Sequence, residues 1–325
     1  MKINRRRFIF GSVLVGGGAL FTYSATRPSR HRQANVDLAQ GEERYITSFI
    51  KIEPGNEITI YVPHSEMGQG IHTSLSMMAA DELDANWEEV NIEQAPAIDL
   101  FANGDLVRGF ASEFGVPDFL MGLVGASAFA VAEIGNLQTT GGSSSVRFTG
   151  EHGMRVAGAA AREMLIESAA VRWDVPVEEL STKLSHVHHN TTGRSFSYGQ
   201  LAADAARKEP PENPRLKGRS QFNIMGKAIS RNDIPAKVDG SAMYGMDAHS
   251  DDMLYAAIRM APVFGNKLIS ANSQLAFSVP GVQDVIVLED SVAVVADNYW
   301  HAKKALELIE TKWEASENDS VSSAD

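Results

Sequence analysis

The sequence predicts an α+β protein with two domains, and three observations support this prediction. A chain of 325 residues is long enough for about two domains, each with its own core. The first half contains a hairpin signal followed by helical patterns, whereas the second half contains short strand patterns and one helix. With 44% hydrophobic and 22% charged residues, the composition is that of a folded globular protein rather than a disordered chain or a membrane bundle.

The N-terminus has the pattern of an export signal. Arg5, Arg6 and Arg7 directly precede an apolar run at residues 8–23, which glycines interrupt, and residues 1–36 contain no acidic side chain. Consecutive arginines before a short apolar run are typical of twin-arginine export. The run is shorter than the roughly 20 residues of a spanning helix. We expect export to the periplasm, with the segment either cleaved or kept as a membrane anchor.

Charge and cysteine content exclude several function classes. The net charge is −12 although the N-terminus is basic, and so acidic a body argues against nucleic acid as the main partner. The chain contains no cysteine. This excludes disulfides, a thiolate nucleophile, a zinc–thiolate site and cysteine-ligated iron–sulfur clusters within this chain.

Turn residues and periodicity predict the elements of the first half. Pro54, Gly55 and Asn56 form a hairpin signal between two apolar segments. Leu75 and Leu83 share one face of a helical pattern, and Ser197 has the position of a helix N-cap. The predicted strands are 46–53, 57–62, 89–95 and 184–190, and the predicted helices are 71–83, 117–124, 151–173 and 197–207.

The second half combines strands with a covering helix. Strand patterns occur at 253–260, 285–288 and 292–295, and a helix is predicted over 298–312, ending before Trp313. These elements predict a small α+β domain. Three prolines after residue 207 prevent the preceding helix from continuing, so a linker is expected there.

Two loops of small residues, each just before a predicted helix, are the strongest candidate binding feature. Gly68, Gln69 and Gly70 precede the helix at 71–83, and residues 141–145 precede the helix at 151–173. Glycines permit close backbone approach, and amides at helix starts attract anions. The pair suits a ligand with two phosphates, although ordinary turns with helix caps remain the alternative. Neither loop matches a P-loop or a dinucleotide fingerprint.

Four other polar residues suggest chemistry less strongly. His186 and His188 share one face of a predicted strand and could bind a metal, but no carboxylate lies beside them, so a solvated strand is the favoured interpretation. His64 and Glu66 flank the first loop and are either an acid–base pair or polar residues at a strand end.

The acidic residues Asp81, Glu82 and Asp84 fall near the end of the predicted helix 71–83. Charged runs on a helix usually face water. We therefore expect these carboxylates to form a solvated helix face without a chemical role.

The residues around both loops resemble a known family. Residues 66–73, EMGQGIHT, resemble a segment of molybdenum hydroxylase large subunits, which include aldehyde oxidases and xanthine dehydrogenases. Residues 140–146, TGGSSSV, and 155–162, RVAGAAAR, are similar to the branch that contains isoquinoline 1-oxidoreductase beta subunits. The resemblance implies a set of cofactor-contacting residues: Gly68, Gln69, Gly70, Thr140, Gly141, Gly142, Ser143, Ser144 and Ser145.

A third resemblance lies in the second half. Residues 233–240, DIPAKVDG, with 253–256, 280–282 and 293–296, resemble the a/b hammerhead domain of the same family. The implied architecture is a partial molybdopterin-binding domain followed by a hammerhead domain. The expected divisions are 1–36 signal or anchor and linker, 37–207 molybdopterin-binding part, 208–232 linker, 233–315 hammerhead domain and 316–325 disordered tail.

The resemblance also implies a cofactor, partners and a reaction. The cofactor is molybdenum–molybdopterin, in the cytosine dinucleotide form, with its metal held by the pterin sulfurs. Iron–sulfur clusters are expected on a separate small subunit, which suits a cysteine-free chain. The reaction is hydroxylation of an aldehyde or N-heterocycle with oxygen from water.

One part of the family pattern has no counterpart here. Family large subunits are longer and carry a second cofactor-binding half and the catalytic glutamate toward the C-terminus. No residue of this chain matches the context of that glutamate, so no catalytic base is assigned. We expect the N-terminal portion of a split or truncated large subunit that needs its missing half. The alternative is a non-catalytic exported fragment that folds without cofactor.

Overall fold

The computed structural model describes residues 29–102, 104–113, 130, 132–135, 138, 140, 143–211 and 213–323. The chain divides into two compact units between Gly240 and Ser241. The helix predicted at 117–124 and the predicted N-terminal export signal lie outside the described residues. Within the described part, no helix is both long enough and apolar enough to cross a membrane.

The first unit is a mixture of helices and short strands. Its strands are β1 Arg44–Thr47, β2 Ile50–Ile52, β3 Ile58–Val62, β4 Val90–Gln94, β5 Leu180–Lys183, β6 His186–His189 and β7 Ser195–Ser197. Its helices are α1 Arg30–Asp37, α2 Ile71–Leu83, α3 Gly104–Glu113, α4 Arg155–Trp173, α5 Tyr198–Ala205 and α6 Ile234–Asp239. The predicted mixed α+β class is confirmed.

A four-stranded sheet and helix α2 position the first loop. The sheet has the order β1-β2-β3-β4, with β3 and β4 parallel and the other pairs antiparallel. The predicted hairpin joins β2 to β3, and Asn56 adopts the left-handed φ of +78° that its turn requires. Helix α2 connects the parallel strands β3 and β4, and the chain between β3 and α2 contains the Gly68–Gly70 turn.

Helix α4 packs against helix α2 at very short range. A Cβ atom on Gly158 would lie 2.2 Å from the carbonyl oxygen of Ala79, so only glycine permits this approach. Helix α4 begins at Arg155 rather than at residue 151, because a π-helical stretch, Ser145–Met154, precedes it. The alanine-rich sequence of α4 suits both high helix propensity and close packing.

The remaining strands of the first unit form a three-stranded antiparallel sheet, β5-β6-β7. The predicted cap of the next helix is confirmed, because Ser197 accepts a hydrogen bond from the amide of Gln200 at 3.3 Å. The Gln200 side chain accepts one from the Ser197 amide at 2.9 Å, which completes a capping box.

The segment expected as a linker packs onto the first unit. We name residues 215–233 the strap, because they lie along helix α2. Lys217 and Ile224 of the strap are buried. Their burial shows that this part of the chain contributes to the core of the unit rather than serving as a free connection.

The second unit consists of two small sheets and one helix. Its strands are β8 Tyr255–Met260, β9 Leu268–Asn272, β10 Val282–Val287, β11 Ser291–Ala296 and β12 Glu310–Trp313, and its helix is α7 Tyr299–Glu307. The sheets have the orders β10-β11-β8 and β12-β9. Val292, Val294 and Ala302 belong to the small apolar core that α7 shares with the first of these sheets.

The predicted helix 298–312 is wrong over its last residues. Helix α7 ends at Glu307, and Glu310–Trp313 form a strand antiparallel to β9. Backbone pairing with β9 outweighs the helical periodicity there. Residues expected in a disordered tail also make contacts, because Asn318 donates a hydrogen bond to the carbonyl oxygen of Phe264 at 2.8 Å.

Candidate functional site

The loop before helix α2 is organised around the carboxylate of Glu66. This carboxylate accepts hydrogen bonds from the amides of Gly68 at 2.8 Å, Gly70 at 2.9 Å and His72 at 3.3 Å. A side chain of the loop therefore occupies the amides that were expected to face a bound anion. Such a carboxylate compensates the positive end of the helix dipole.

The electrostatics of the loop favour an ionised Glu66. Partial burial alone would raise its pKa. The hydrogen bonds from Gly70, His72 and Gly68, together with the guanidinium of Arg231, outweigh that effect and lower the pKa below its usual range. Glu66 therefore carries its charge at neutral pH.

Arg231 of the strap fixes the loop from outside. Its guanidinium donates a hydrogen bond to the carbonyl oxygen of Gly68 at 2.7 Å and lies 3.3 Å from Glu66 Oε1. Asp233 holds the same guanidinium at 2.5 Å. Sequence reasoning did not find Arg231, because it lies more than 160 residues from the loop and carries no local motif.

The outer edge of the loop is open. Gly68 and Gly70 have φ angles of +94° and +79°, and a Cβ atom on Gly68 would have no atom within 4 Å. Gln69 is exposed, and its side chain turns back to donate to the carbonyl oxygen of Ser65 at 2.8 Å and to accept from the Met67 amide. Glycine is required for the backbone conformation, and the space beside it is free for a ligand.

Thr140, which directly precedes the second predicted loop, contacts the first loop. The hydroxyl of Thr140 accepts a hydrogen bond from the amide of Ser65 at 2.9 Å. Ser143 is exposed and Ser144 is half-buried at the start of the π-helical stretch. Gly141, Gly142 and the side chain of Ser145 lie outside the described residues. The contact therefore places Thr140 beside the first loop.

His64 and Glu66 do not form an acid–base pair. The buried His64 Nε2 lies 2.9 Å from Thr149 Oγ1, and the His64 carbonyl oxygen lies 2.9 Å from His72 Nε2. Glu66 instead contacts amides and Arg231. His64 thus connects the π-helical stretch to the start of helix α2.

The histidines of strand β6 do not assemble a metal centre with carboxylates. The rings of His186 and His188 stack with centroids 6.1 Å apart. The neighbouring His189 is buried and pairs with Glu179 at 2.9 Å. Across the described ranges, no group of three or more histidine, aspartate or glutamate side chains is arranged to hold a metal ion.

The prediction of a solvated acidic face is wrong for two of its three residues. Asp81 and Glu82 are buried at 1% and 0% exposure. Asp81 accepts hydrogen bonds from the strap amides of Asn223 at 3.1 Å, Ile224 at 3.1 Å and Met225 at 2.8 Å. The strap covers this face of the helix, so its carboxylates are satisfied without water.

Basic residues of helix α4 complete the buried acidic cluster. Arg155 donates to Glu82 Oε1 at 2.6 Å and 2.9 Å, and Arg162 lies 3.8 Å from Glu82 Oε2. Arg155 and Arg162 are seven residues apart, which places them on one face of their helix. This seven-residue spacing was the signal in the sequence that could have indicated buried partners for the acidic residues.

Comparisons with known proteins agree with these features. Residues 15–115 match the family described as Molybdopterin cofactor-binding domain. The chain is 32% identical to the beta subunit of isoquinoline 1-oxidoreductase from Brevundimonas diminuta, over 82% of this chain and 35% of that protein. It is 28% identical to the Membrane-bound aldehyde dehydrogenase [pyrroloquinoline-quinone] of Gluconacetobacter polyoxogenes, over 100% of this chain and 39% of that protein.

A more distant relative extends the same group. The chain is 24% identical to the B subunit of nicotinate dehydrogenase from Pseudomonas putida, over 84% of this chain and 21% of that protein. The chain thus spans between a fifth and two fifths of the length of these curated relatives. Together with the family match, these similarities support the resemblance of the chain to molybdenum hydroxylase large subunits.

Proposed function

We propose that this chain is a molybdopterin-binding part of an oxidoreductase that hydroxylates aldehydes or N-heterocycles with oxygen from water. The open glycine turn at residues 68–70, fixed by Glu66 and Arg231, is the observation that carries the proposal. A turn held rigidly from one side and open on the other suits a large, flat ligand. The activity proposed is that of a larger assembly, in which this chain supplies one wall of the cofactor site.

The residues present fit such a cofactor at the outer edge of the loop. Gly68 leaves open space, and exposed Gln69 and Ser143 offer hydrogen-bonding groups. Because Glu66 already occupies the amides at the start of helix α2, we propose that side chains and the exposed backbone edge contact the pterin and its phosphates. When bound, the cofactor supplies the redox metal, held by its own sulfurs, so the chain needs no thiolate ligand.

The same proposal names the wider site and its partners. The contacting set is Gly68, Gln69, Gly70, Thr140, Gly141, Gly142, Ser143, Ser144 and Ser145, and the cytosine dinucleotide form is the expected cofactor. A small iron–sulfur subunit would receive the electrons, and residues corresponding to the remaining length of the relatives would complete the pocket. Twin-arginine export would place the assembly in the periplasm or on its membrane surface.

Cofactor analysis of matched glycine variants tests the proposal. Molybdenum and pterin would be measured in the purified chain, both alone and co-expressed with its partner subunits. Gly68→Ala places an alanine at a φ of +94° in the loop, whereas Gly193→Ala creates similar strain at a φ of +69° in the turn between β6 and β7. We expect the cofactor content of the complex to fall in the Gly68 variant and to stay unchanged in the Gly193 variant.

Two outcomes would contradict this function. Absence of molybdenum and pterin from the co-expressed complex would favour a non-catalytic exported fragment that folds without cofactor. Equal cofactor loss in the two glycine variants would show that the loss reflects general destabilisation rather than the loop.

A further inference from the structure

One cavity of the first unit lies outside the proposed cofactor loop. It has a volume of about 280 Å3, close to the lower end of the range for small-molecule pockets. Helices α1, α3 and α4, the β1–β2 turn and the π-helical stretch line it. Its walls combine apolar side chains, including Phe49 and Val156, with the polar residues Thr47, Asp105 and Arg108.

Buried polar groups in this cavity lack partners. Thr47 Oγ1 and Ser29 Oγ are inaccessible to solvent and have no hydrogen-bond partner among the described residues. Buried hydroxyls are almost always hydrogen-bonded in folded proteins. Both residues line the cavity, so a polar molecule bound there would complete their hydrogen bonding.

Asp105 is the acidic group of the cavity. It is only 4% exposed, and a Cβ atom on Gly153 would lie 2.6 Å from Asp105 Oδ2, so the carboxyl group packs directly against backbone. Burial raises the pKa of Asp105 to about 6, although the charges of Arg30 and Arg108 oppose this rise. The neutral form of Asp105 is therefore accessible at mildly acidic pH.

The two arginines that line the cavity differ in their ion pairing. Arg30 pairs with Glu133 at 3.2 Å. Arg108 forms no ion pair within the described part of the chain, and protonation of Asp105 removes a negative charge that interacts with this guanidinium. Burial and Arg108 lower the pKa of His152, and burial lowers that of His31, so both imidazoles are neutral at pH 7. When Asp105 is neutral, the Arg108 guanidinium favours an anionic ligand.

We propose that this cavity binds a small organic carboxylate with an apolar body. The carboxylate pairs with Arg108 and accepts a hydrogen bond from the Thr47 hydroxyl, and the apolar body lies against Phe49 and Val156. Charge-assisted hydrogen bonds to a guanidinium supply specificity, and the apolar walls supply contact area. This site uses none of the residues of the 65–70 loop, so it stands independently of the proposed cofactor function.

Benzoate and benzamide provide a matched pair of probes, because they differ in charge but hardly in shape. Binding to the full chain would be measured by isothermal titration calorimetry. We expect benzoate to bind saturably and benzamide to bind about tenfold or more weakly. Equal affinity for the two probes, or no binding of benzoate, would overturn the proposal.

Variants locate the binding site. Arg108→Gln should weaken benzoate binding about tenfold, and Thr47→Val, which preserves shape, should weaken it by a smaller factor. Arg219→Gln changes an exposed arginine elsewhere in the unit and should leave binding unchanged. The proposal is wrong if the Arg108 and Arg219 variants bind benzoate equally well, or if Thr47→Val binds it as tightly as the parent chain.

The pH dependence gives a separate readout. Benzoate should bind more tightly at about pH 5 than at about pH 8, because ionised Asp105 repels it. Protonation of His31 or His152 would act in the same direction, because it would add positive charge to the cavity. Asp105→Asn removes the carboxyl contribution, so its affinity should vary less with pH. An unchanged pH profile in this variant would contradict the role of Asp105.

Discussion

Glu82 and Arg155 form a buried ion pair, with Arg155 Nη2 lying 2.6 Å from Glu82 Oε1. The side chain of Glu82 is fully buried, and it also accepts a hydrogen bond from the backbone amide of Lys217. The pair therefore connects helix α2, helix α4 and the strap. Because the Glu82 carboxylate accepts hydrogen bonds from both Arg155 and the strap, the two contacts support each other.

Removing the carboxylate should destabilise the first unit strongly. Glu82→Ala leaves the Arg155 guanidinium buried without its main counter-charge, and such losses cost about 3–5 kcal/mol. Urea unfolding followed by circular dichroism measures the free energy of unfolding. Glu178→Ala, which removes an exposed glutamate, is the control and should change stability by less than about 0.5 kcal/mol. Similar values for the two variants would contradict a structural role for the pair.

Asp81 should hold the strap locally. Asp81→Asn removes the charge that accepts the amides of Asn223, Ile224 and Met225, so these amides should exchange hydrogen faster. Hydrogen exchange followed by mass spectrometry measures this on the peptide that contains them. Asp37→Asn, at an exposed position of α1, should leave that peptide unchanged. Unaltered protection in the Asp81 variant would show that the strap is held by other contacts.

Gly158 should be intolerant of any side chain. Gly158→Ala places a methyl group where the Ala79 carbonyl oxygen lies, so helices α2 and α4 must separate. Overpacking of this kind costs about 1–3 kcal/mol, and backbone cannot move aside as a side chain would. Thermal unfolding should show a lower midpoint. Gly55→Ala, with no atom within 4 Å of the new Cβ, serves as the control, and an equal midpoint in both variants would refute the close-packing account.

Asp105 should make the first unit less stable as the pH rises. In the native state its pKa is about 6, above the ordinary value of 3.8 that applies to the unfolded chain. The native state therefore binds more protons between these values, and stability falls as the pH rises through this window. The full loss is about 3 kcal/mol above the native pKa.

The variant Asp105→Asn checks this sign. It removes the ionisable group, so it should be more stable than the parent chain at about pH 8 and close to it at about pH 4. Chemical unfolding at both values measures the difference. Greater relative stability of the variant at the lower pH would contradict the assignment.

Local patterns predicted several elements accurately. Helix α2 has the predicted bounds of 71–83, and the Ser197 cap and the hairpin at Asn56 also agree with the sequence. These features depend on side-chain spacing and turn residues within a few positions, which a single sequence displays. The α+β fold class was predicted from the same local patterns.

Features that depend on distant partners were not predicted. The burial of Asp81 and Glu82 results from the strap, more than 130 residues later in the chain. Strand β12 exists because it pairs with β9, and a helical pattern continues through its sequence. In the candidate site, the glycines were predicted from the loop pattern, but the occupation of its amides by Glu66 depends on loop conformation rather than residue type.

The strap also has a consequence for the order in which the protein is made. Arg231 holds the start of helix α2 through Gly68 and Glu66, and residues 223–225 hold its end through Asp81. The loop at 65–70 leaves the ribosome long before Arg231 is synthesised, and contacts so far apart in sequence form slowly. The glycine turn therefore reaches its final shape only after most of the unit has been translated. A ligand of this loop would therefore bind to an already folded loop, late in folding, rather than help the loop to fold.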